Sequence, residues 1–136
     1  PYDCEGYRLL TEAEWEGAAR CGEDLLYAGS VTISDVGWYS GNSSASTHAV
    51  GEKAPNACGL FDMSGNVFEW TQDWYGTVSA SAATDPAGAA TGSHRIGRGG
   101  SWYDAETLAR ISIRNNVHFP TTKYSSIGFR VAKSNR

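Results

Sequence analysis

Apolar and polar residues keep a regular spacing over only a few short stretches of this chain. The clearest is Thr11 to Arg20, where Thr11 and Glu14 form a capping box, Leu10 and Trp15 stand at hydrophobic-staple positions, and Gly22 lies just past the end. That pattern predicts a helix with Trp15, Ala18 and Ala19 as its buried stripe. Val67 to Trp70 alternates as a strand does, so Val67 and Glu69 share one face and Phe68 and Trp70 the other, and the aromatic face is the expected core face. Arg110 to Arg114 alternates as well, with Ile111 and Ile113 inward and Arg110, Ser112 and Arg114 outward. Ile127 to Ala132 reads as a closing strand.

The rest is less regular. Gly22 to Ala57 has no period, and its glycines, serines and asparagines predict a long, packed, irregular loop, which is uncommon unless functional or ion-bound. Asp35, Asn42 and Asn56 offer oxygens there for a second ion, whereas His48 reads as a surface or hydrogen-bonded histidine. Thr77 to Ser93 is a small-residue, low-complexity stretch with an Asp85-Pro86 turn signal, expected as an exposed loop that ends at His94. Arg95 to Trp102 carries Gly97, Gly99 and Gly100, too many for an ordinary strand, which suggests a backbone that bends while passing close to another segment. It matches neither of the glycine-rich phosphate-binding patterns.

With 136 residues, 40% of them hydrophobic, the chain suits one domain over 1–136 with a core of its own. The formal net charge of −4 and the lack of a basic stripe argue against nucleic acid as a partner. No apolar run is long enough for a membrane span, so no membrane partner is expected. Cys4, Cys21 and Cys58 show no paired spacing; a Cys4–Cys21 bridge stays open, with three small, mostly buried thiols as the favoured alternative.

The densest chemistry lies in Gly59 to Trp74, GLFDMSGNVFEWTQDW. Asp62 and Glu69 bracket a Gly65-Asn66 turn, and with carbonyls near Gly65 and Val67 they offer the all-oxygen shell that calcium prefers. On spacing alone a plainer reading is stronger: Asp62 caps the turn and Glu69 pairs with an arginine.

That block, with GYRLLTEAEWEGAAR at 6–20, RIGRGGSW at 95–102, RISIR at 110–114 and IGFRVA at 127–132, closely resembles the formylglycine-generating-enzyme-like family, also called sulfatase-modifying-factor domains. The resemblance implies an α+β fold, a C-type-lectin-like variant with little regular secondary structure, one clear helix and short antiparallel strands. It also implies a structural calcium held by the side chains of Asp62 and Glu69 and the carbonyls of Gly65 and Val67. Family members normally carry a long portion before the RLxTEAEW block, which this sequence does not include. An exposed edge would follow, with dimerisation, an element swap or a longer parent chain as the outcomes left open.

Catalytic members of the family oxidise a client cysteine to formylglycine through a copper-binding cysteine pair placed after the GGS block. Here that region reads Trp102, Tyr103 and Asp104, with Ala109 near the second position. A carboxylate and a methyl group cannot replace soft thiolates, so the resemblance implies the scaffold without the copper. The expected function is a non-catalytic binding module, the alternative being a sulfatase-modifying oxidase or another metal-dependent oxidoreductase using the same cleft. Tyr103, Asp104, Glu106, Arg114, Asn116, His118, Phe119, Lys123 and Tyr124 form the expected recognition surface, where the resembling enzymes bind substrate peptide. The same fold serves as the variable receptor in proteins diversified by retroelements. A peptide, a protein surface or a glycan all suit such a surface as ligand.

Overall fold

A computed structural model describes residues 6–77, 86, 88–115 and 119–134. The helix predicted from the capping box is α1, Glu12–Arg20: Thr11 accepts from the Glu14 amide, and Glu14 receives the Thr11 amide at 2.8 Å in return. Cys21 ends the helix in the left-handed region at φ 47°. The long loop that follows is irregular as expected, apart from one helical turn, α2, Ile33–Val36, which buries Ile33 and Val36.

Among the described residues, five short strands make two small sheets. β1, Tyr7–Leu9, pairs antiparallel with β5, Val131–Lys133. In the second sheet β2, Phe68–Trp74, lies between β3, Arg95–Arg98, and β4, Ile127–Phe129. β3 runs antiparallel to β2, but β4 is parallel to it, so the expectation of antiparallel strands holds for only part of the sheet. The closing strand of the sequence reading is thus two strands, β4 and β5, which serve different sheets.

Two further expectations need correction. Arg110 to Arg114 is not a strand: it follows a 3-10 turn at Glu106–Ala109, and the nearest ladder contact is a single bridge between Gly97 and Asn115. Its alternation came from local packing, since Ile111 is buried against Trp15 and Leu10 while Ile113 is half-buried. The cysteine expectation also fails. Cys21 is bonded to Cys58, with Cα atoms 5.7 Å apart, Cys58 is exposed, and Cys4 lies outside the described residues. Proximity came from the loop fold, which returns Cys58 to the end of α1, a relation that no sequence spacing encodes.

The core is built on Trp15, packed with Leu10, Ala19, Ala28, Met63 and Ile111, beside a second cluster of Tyr27, Ile33, Val36 and Ala109. A buried cation holds α1 against β3. Arg98 is fully buried; it donates to Glu12 at 3.2 Å and Glu16 at 2.6 Å, and to the carbonyls of Ile111 and Ile113 at 2.7 and 3.0 Å. Four acceptors around one guanidinium offset its desolvation, which a lone buried charge could not withstand. Gly99 and Gly100, at φ 94° and 76°, then bend the chain as the glycine pattern predicted; a Cβ on Gly100 would lie 2.7 Å from the Ala109 Cα.

Candidate functional site: a carboxylate cavity and an aromatic face

Two regions carry the candidate residues. The first begins at the turn before β2, where Gly65 and Asn66 both have positive φ, 82° and 63°. Gly65 presses on the Trp38 backbone, and its amide donates to Gly99 at 2.7 Å, so a side chain there would meet main chain. Asn66 fastens the turn to the long loop through bonds to the His48 amide and carbonyl at 3.0 and 3.1 Å. His48 itself bonds the Ser43 carbonyl at 2.8 Å and stacks on Trp38, which fits its reading as a hydrogen-bonded histidine.

Asp62, Val67 and Glu69 line one cavity of about 630 Å³, together with Asn66, Arg130, Val50, Phe61 and Phe129. Gly65 does not line it. Glu69 is buried, contrary to the expectation that only the aromatic face of the strand would be, and Trp70 is only half-buried. The reason is a partner for each Glu69 oxygen: Arg130 donates to both, at 2.8 to 3.2 Å, and the Trp15 indole donates at 2.7 Å. The arginine pairing anticipated from spacing is therefore present. Asp62, at φ 56°, accepts from the Gly51 amide at 2.8 Å through one oxygen, while the other is buried without a hydrogen-bond partner. A buried acceptor lacking a donor is costly unless a cation answers it. It is the kind of oxygen a hard cation takes, and it shares the cavity with Glu69, whose own oxygens are engaged by Arg130 and Trp15.

The three residues suggested for a second ion are each hydrogen-bonded within the fold. Asp35 accepts from Ser30, Asn42 bridges Tyr39 and Gly37, and Asn56 caps the end of α1.

The second region follows the GGSW block. Tyr103 is 73% exposed and meets Trp102 edge-on with ring centroids 5.6 Å apart. Trp102 in turn reaches the Ser125 carbonyl at 3.3 Å, and the Phe119 amide donates to the Tyr124 hydroxyl at 3.3 Å, so these aromatics are linked through the 119–125 loop. Phe119 is 47% exposed and packs on His94, while Lys123 and Glu106 are exposed. Asp104 is half-buried and accepts from the Ser101 hydroxyl, and its carbonyl receives the Ser40 amide at 3.0 Å. Arg114 points elsewhere: it donates to Glu12 at 2.6 Å and to the Gly76 carbonyl at 2.9 Å, and the bond to Glu12 holds its guanidinium more firmly protonated. It is a tie to α1, not an open contact residue. Asn116 and His118 lie outside the described residues.

Arg130, Trp15 and Arg98 were not singled out as site residues by sequence reasoning. The signal available was the cost of a buried Glu69, which requires a cation and a donor from distant blocks.

Residues 3–135 match the family model described as the sulfatase-modifying factor enzyme 1-like domain, and the chain belongs to that family. It is 38% identical over 142 residues to the serine/threonine-protein kinase pkn1 of Chlamydia pneumoniae, covering 95% of this chain and 21% of that protein. It is 34% identical to the formylglycine-generating enzyme of Thermomonospora curvata over 155 residues, 93% of this chain and 49% of the enzyme. Among solved structures, Treponema denticola variable protein 1 superposes with a TM-score of 0.93 at 38% identity, covering 99% of this chain and 50% of that one. The chain thus spans from about a fifth to about half the length of these relatives.

Proposed function

We propose that this domain is a non-catalytic ligand- or protein-binding module on a formylglycine-generating-enzyme-like scaffold. The observation that carries the reading is the chemistry at the two positions that match the enzymes' thiol pair. Asp104 accepts from Ser101, and Ala109 is buried against Tyr27, Ile33 and Val36, so neither brings a soft donor. Cys21 and Cys58 are consumed by each other.

The exposed side chains of Tyr103, Phe119 and Lys123, with half-buried Tyr124 beside them, are the recognition surface of this reading. Tyrosine and phenylalanine supply large rigid area at small entropic cost; the Phe119 amide is held by the Tyr124 hydroxyl, and the Trp102 indole holds the Ser125 carbonyl. That a relative of TM-score 0.93 is named a variable protein supports a scaffold whose surface loops change while its core does not.

Calcium belongs to the same proposal as a structural ion, with Asp62 and Glu69 giving side-chain oxygens and Gly65 and Val67 carbonyls. Support comes from the unpartnered buried oxygen of Asp62 in the cavity it shares with Glu69. When bound, the ion supplies positive charge that joins the turn to β2. Selection of binders from a displayed peptide library tests the recognition role. Enriched peptides should lose at least tenfold in affinity on Tyr103→Ala with Phe119→Ala; binders indifferent to both changes would overturn the assignment of this face.

A further inference from the structure

Asn56 anchors the segment that delivers Asp62. Its buried carboxamide donates to the carbonyls of Ala18 and Ala19 at the end of α1, at 2.7 and 3.0 Å. Its oxygen accepts from the amides of Cys58 and Leu60 at 3.1 and 3.0 Å, and its carbonyl accepts from Gly59 at 2.9 Å. Two residues on, Cys58 is bonded to Cys21, the residue that ends α1. The end of the helix is therefore joined to this segment twice, once by a buried amide and once covalently. The same segment continues through Gly59, Leu60, Phe61 and Asp62 as a wall of the carboxylate cavity.

The two ties differ in access. Asn56 is buried, but Cys58 is exposed and Cys21 half-exposed. Exposed disulfides are those most open to thiol exchange, and a tie in parallel with an intact hydrogen-bonded one can be cut without losing the fold. The core cluster around Trp15 does not include either cysteine.

We propose that the Cys21–Cys58 disulfide is a redox-sensitive lock on the cavity wall that carries Asp62, opened by a dithiol reductant. A thiolate of the reductant attacks the exposed Cys58 sulfur; the S–S bond to Cys21 breaks and a mixed disulfide forms. The second reductant thiol then displaces Cys58. Two electrons pass to the protein, its two sulfurs leave as thiols carrying the reductant's two protons, and the reductant ends as a disulfide. With the covalent tie gone, the Asn56 hydrogen bonds and the packing of Leu60 on the core hold the junction, and the wall loosens. The consequence for ion affinity rests on the calcium reading above; the consequence for the wall does not.

The test compares amide hydrogen exchange in the oxidised protein, in the protein reduced with dithiothreitol, and in a Cys21→Ser, Cys58→Ser variant, all with Cys4→Ser so that one pair exchanges. Reduction should speed exchange at residues 58–60 at least tenfold and leave β2 and β3 unchanged, with the double variant resembling the reduced form. Unchanged protection at 58–60, or equal loss across β2 and β3, would overturn the lock. Calcium titration by calorimetry, run on both forms, should show several-fold weaker binding after reduction. Equal affinity in the two forms would also count against the lock, while absence of binding in both would remove only the calcium site and leave the exchange result to decide.

Discussion

Trp15 donates its indole N–H to the Glu69 carboxylate at 2.7 Å, and both side chains are buried. Arg130 closes the other side of the same carboxylate at 2.8 Å. Three sequence blocks, TEAEW, GNVFEW and GFR, therefore meet at a single acid. Each looks like a separate motif in the chain, yet their residue types depend on one another: a buried glutamate requires a cation and a neutral donor.

Replacing Trp15 with Phe keeps most of the apolar volume but removes the donor. Leaving a buried carboxylate oxygen short of a partner costs about 1–3 kcal/mol. Urea denaturation should show a lowered midpoint with an unchanged slope. A variant as stable as the parent would mean that Arg130 alone suffices for Glu69.

Arg98→Met removes the cation that answers Glu12 and Glu16 and strands the carbonyls of Ile111 and Ile113. The two carboxylates are partly exposed and keep Arg114 and Arg20 as partners, so the main cost is that of the stranded carbonyls, about 1–3 kcal/mol each. Thermal unfolding should drop accordingly, and the Arg114 bond to Glu12 should not compensate.

The pH dependence has two opposed parts. The bidentate bond from Arg8 holds the Glu14 carboxyl below its ordinary range, so its stabilisation is complete above the unfolded-state value and is lost as pH falls through the folded one. Burial pushes Asp73 the other way, with the Glu12 charge adding to it. The folded protein then holds the Asp73 proton more tightly than the unfolded chain, and stability falls as pH rises from the unfolded to the raised folded value. Asp73→Asn keeps an acceptor for the Glu12 amide. It should flatten that fall, while Glu14→Gln should flatten the acid limb; denaturation curves across pH 3 to 7 on the order of one unit apart check both.

Calcium at about a hundred times its dissociation constant should stabilise the fold by about 2.7 kcal/mol. Asp62→Ala should abolish that increment. An equal increment in the variant would place the ion elsewhere.

Tyr103→Ala should change stability by no more than about 0.5 kcal/mol, because its ring is largely exposed, and Phe119→Ala, half-exposed and packed on His94, should cost little more. A large loss of stability in either would assign the ring to the scaffold and remove it from the recognition face.

The helix at α1 was legible because capping is local: Thr11, Glu14 and the residues just past Arg20 specify it within about three turns. The resemblance blocks carried the family for the same reason, since each is a short run with fixed spacing. What the sequence could not reveal was long-range. The parallel pairing of β2 with β4, the partnership of Cys21 with Cys58 across 37 positions, and the burial of Arg98 all depend on where irregular chain returns. Arg110 to Arg114 shows the converse error, an alternation that matched a strand but served a turn beside the core. Of the residues expected after the GGSW block, Tyr103 and Phe119 are exposed rings, whereas Arg114 is turned to Glu12 at the other end of the chain, a partner that no local pattern gives.

The central claim is that this scaffold binds without oxidising. Its most direct test is to incubate the purified domain with copper, dioxygen, a reductant and a cysteine-containing sulfatase peptide, and to follow the peptide by mass spectrometry. The peptide should keep its thiol at the rate seen without protein, even with copper in excess. Protein-dependent conversion of that thiol to an aldehyde, lost on substitution of Asp104, would contradict the claim.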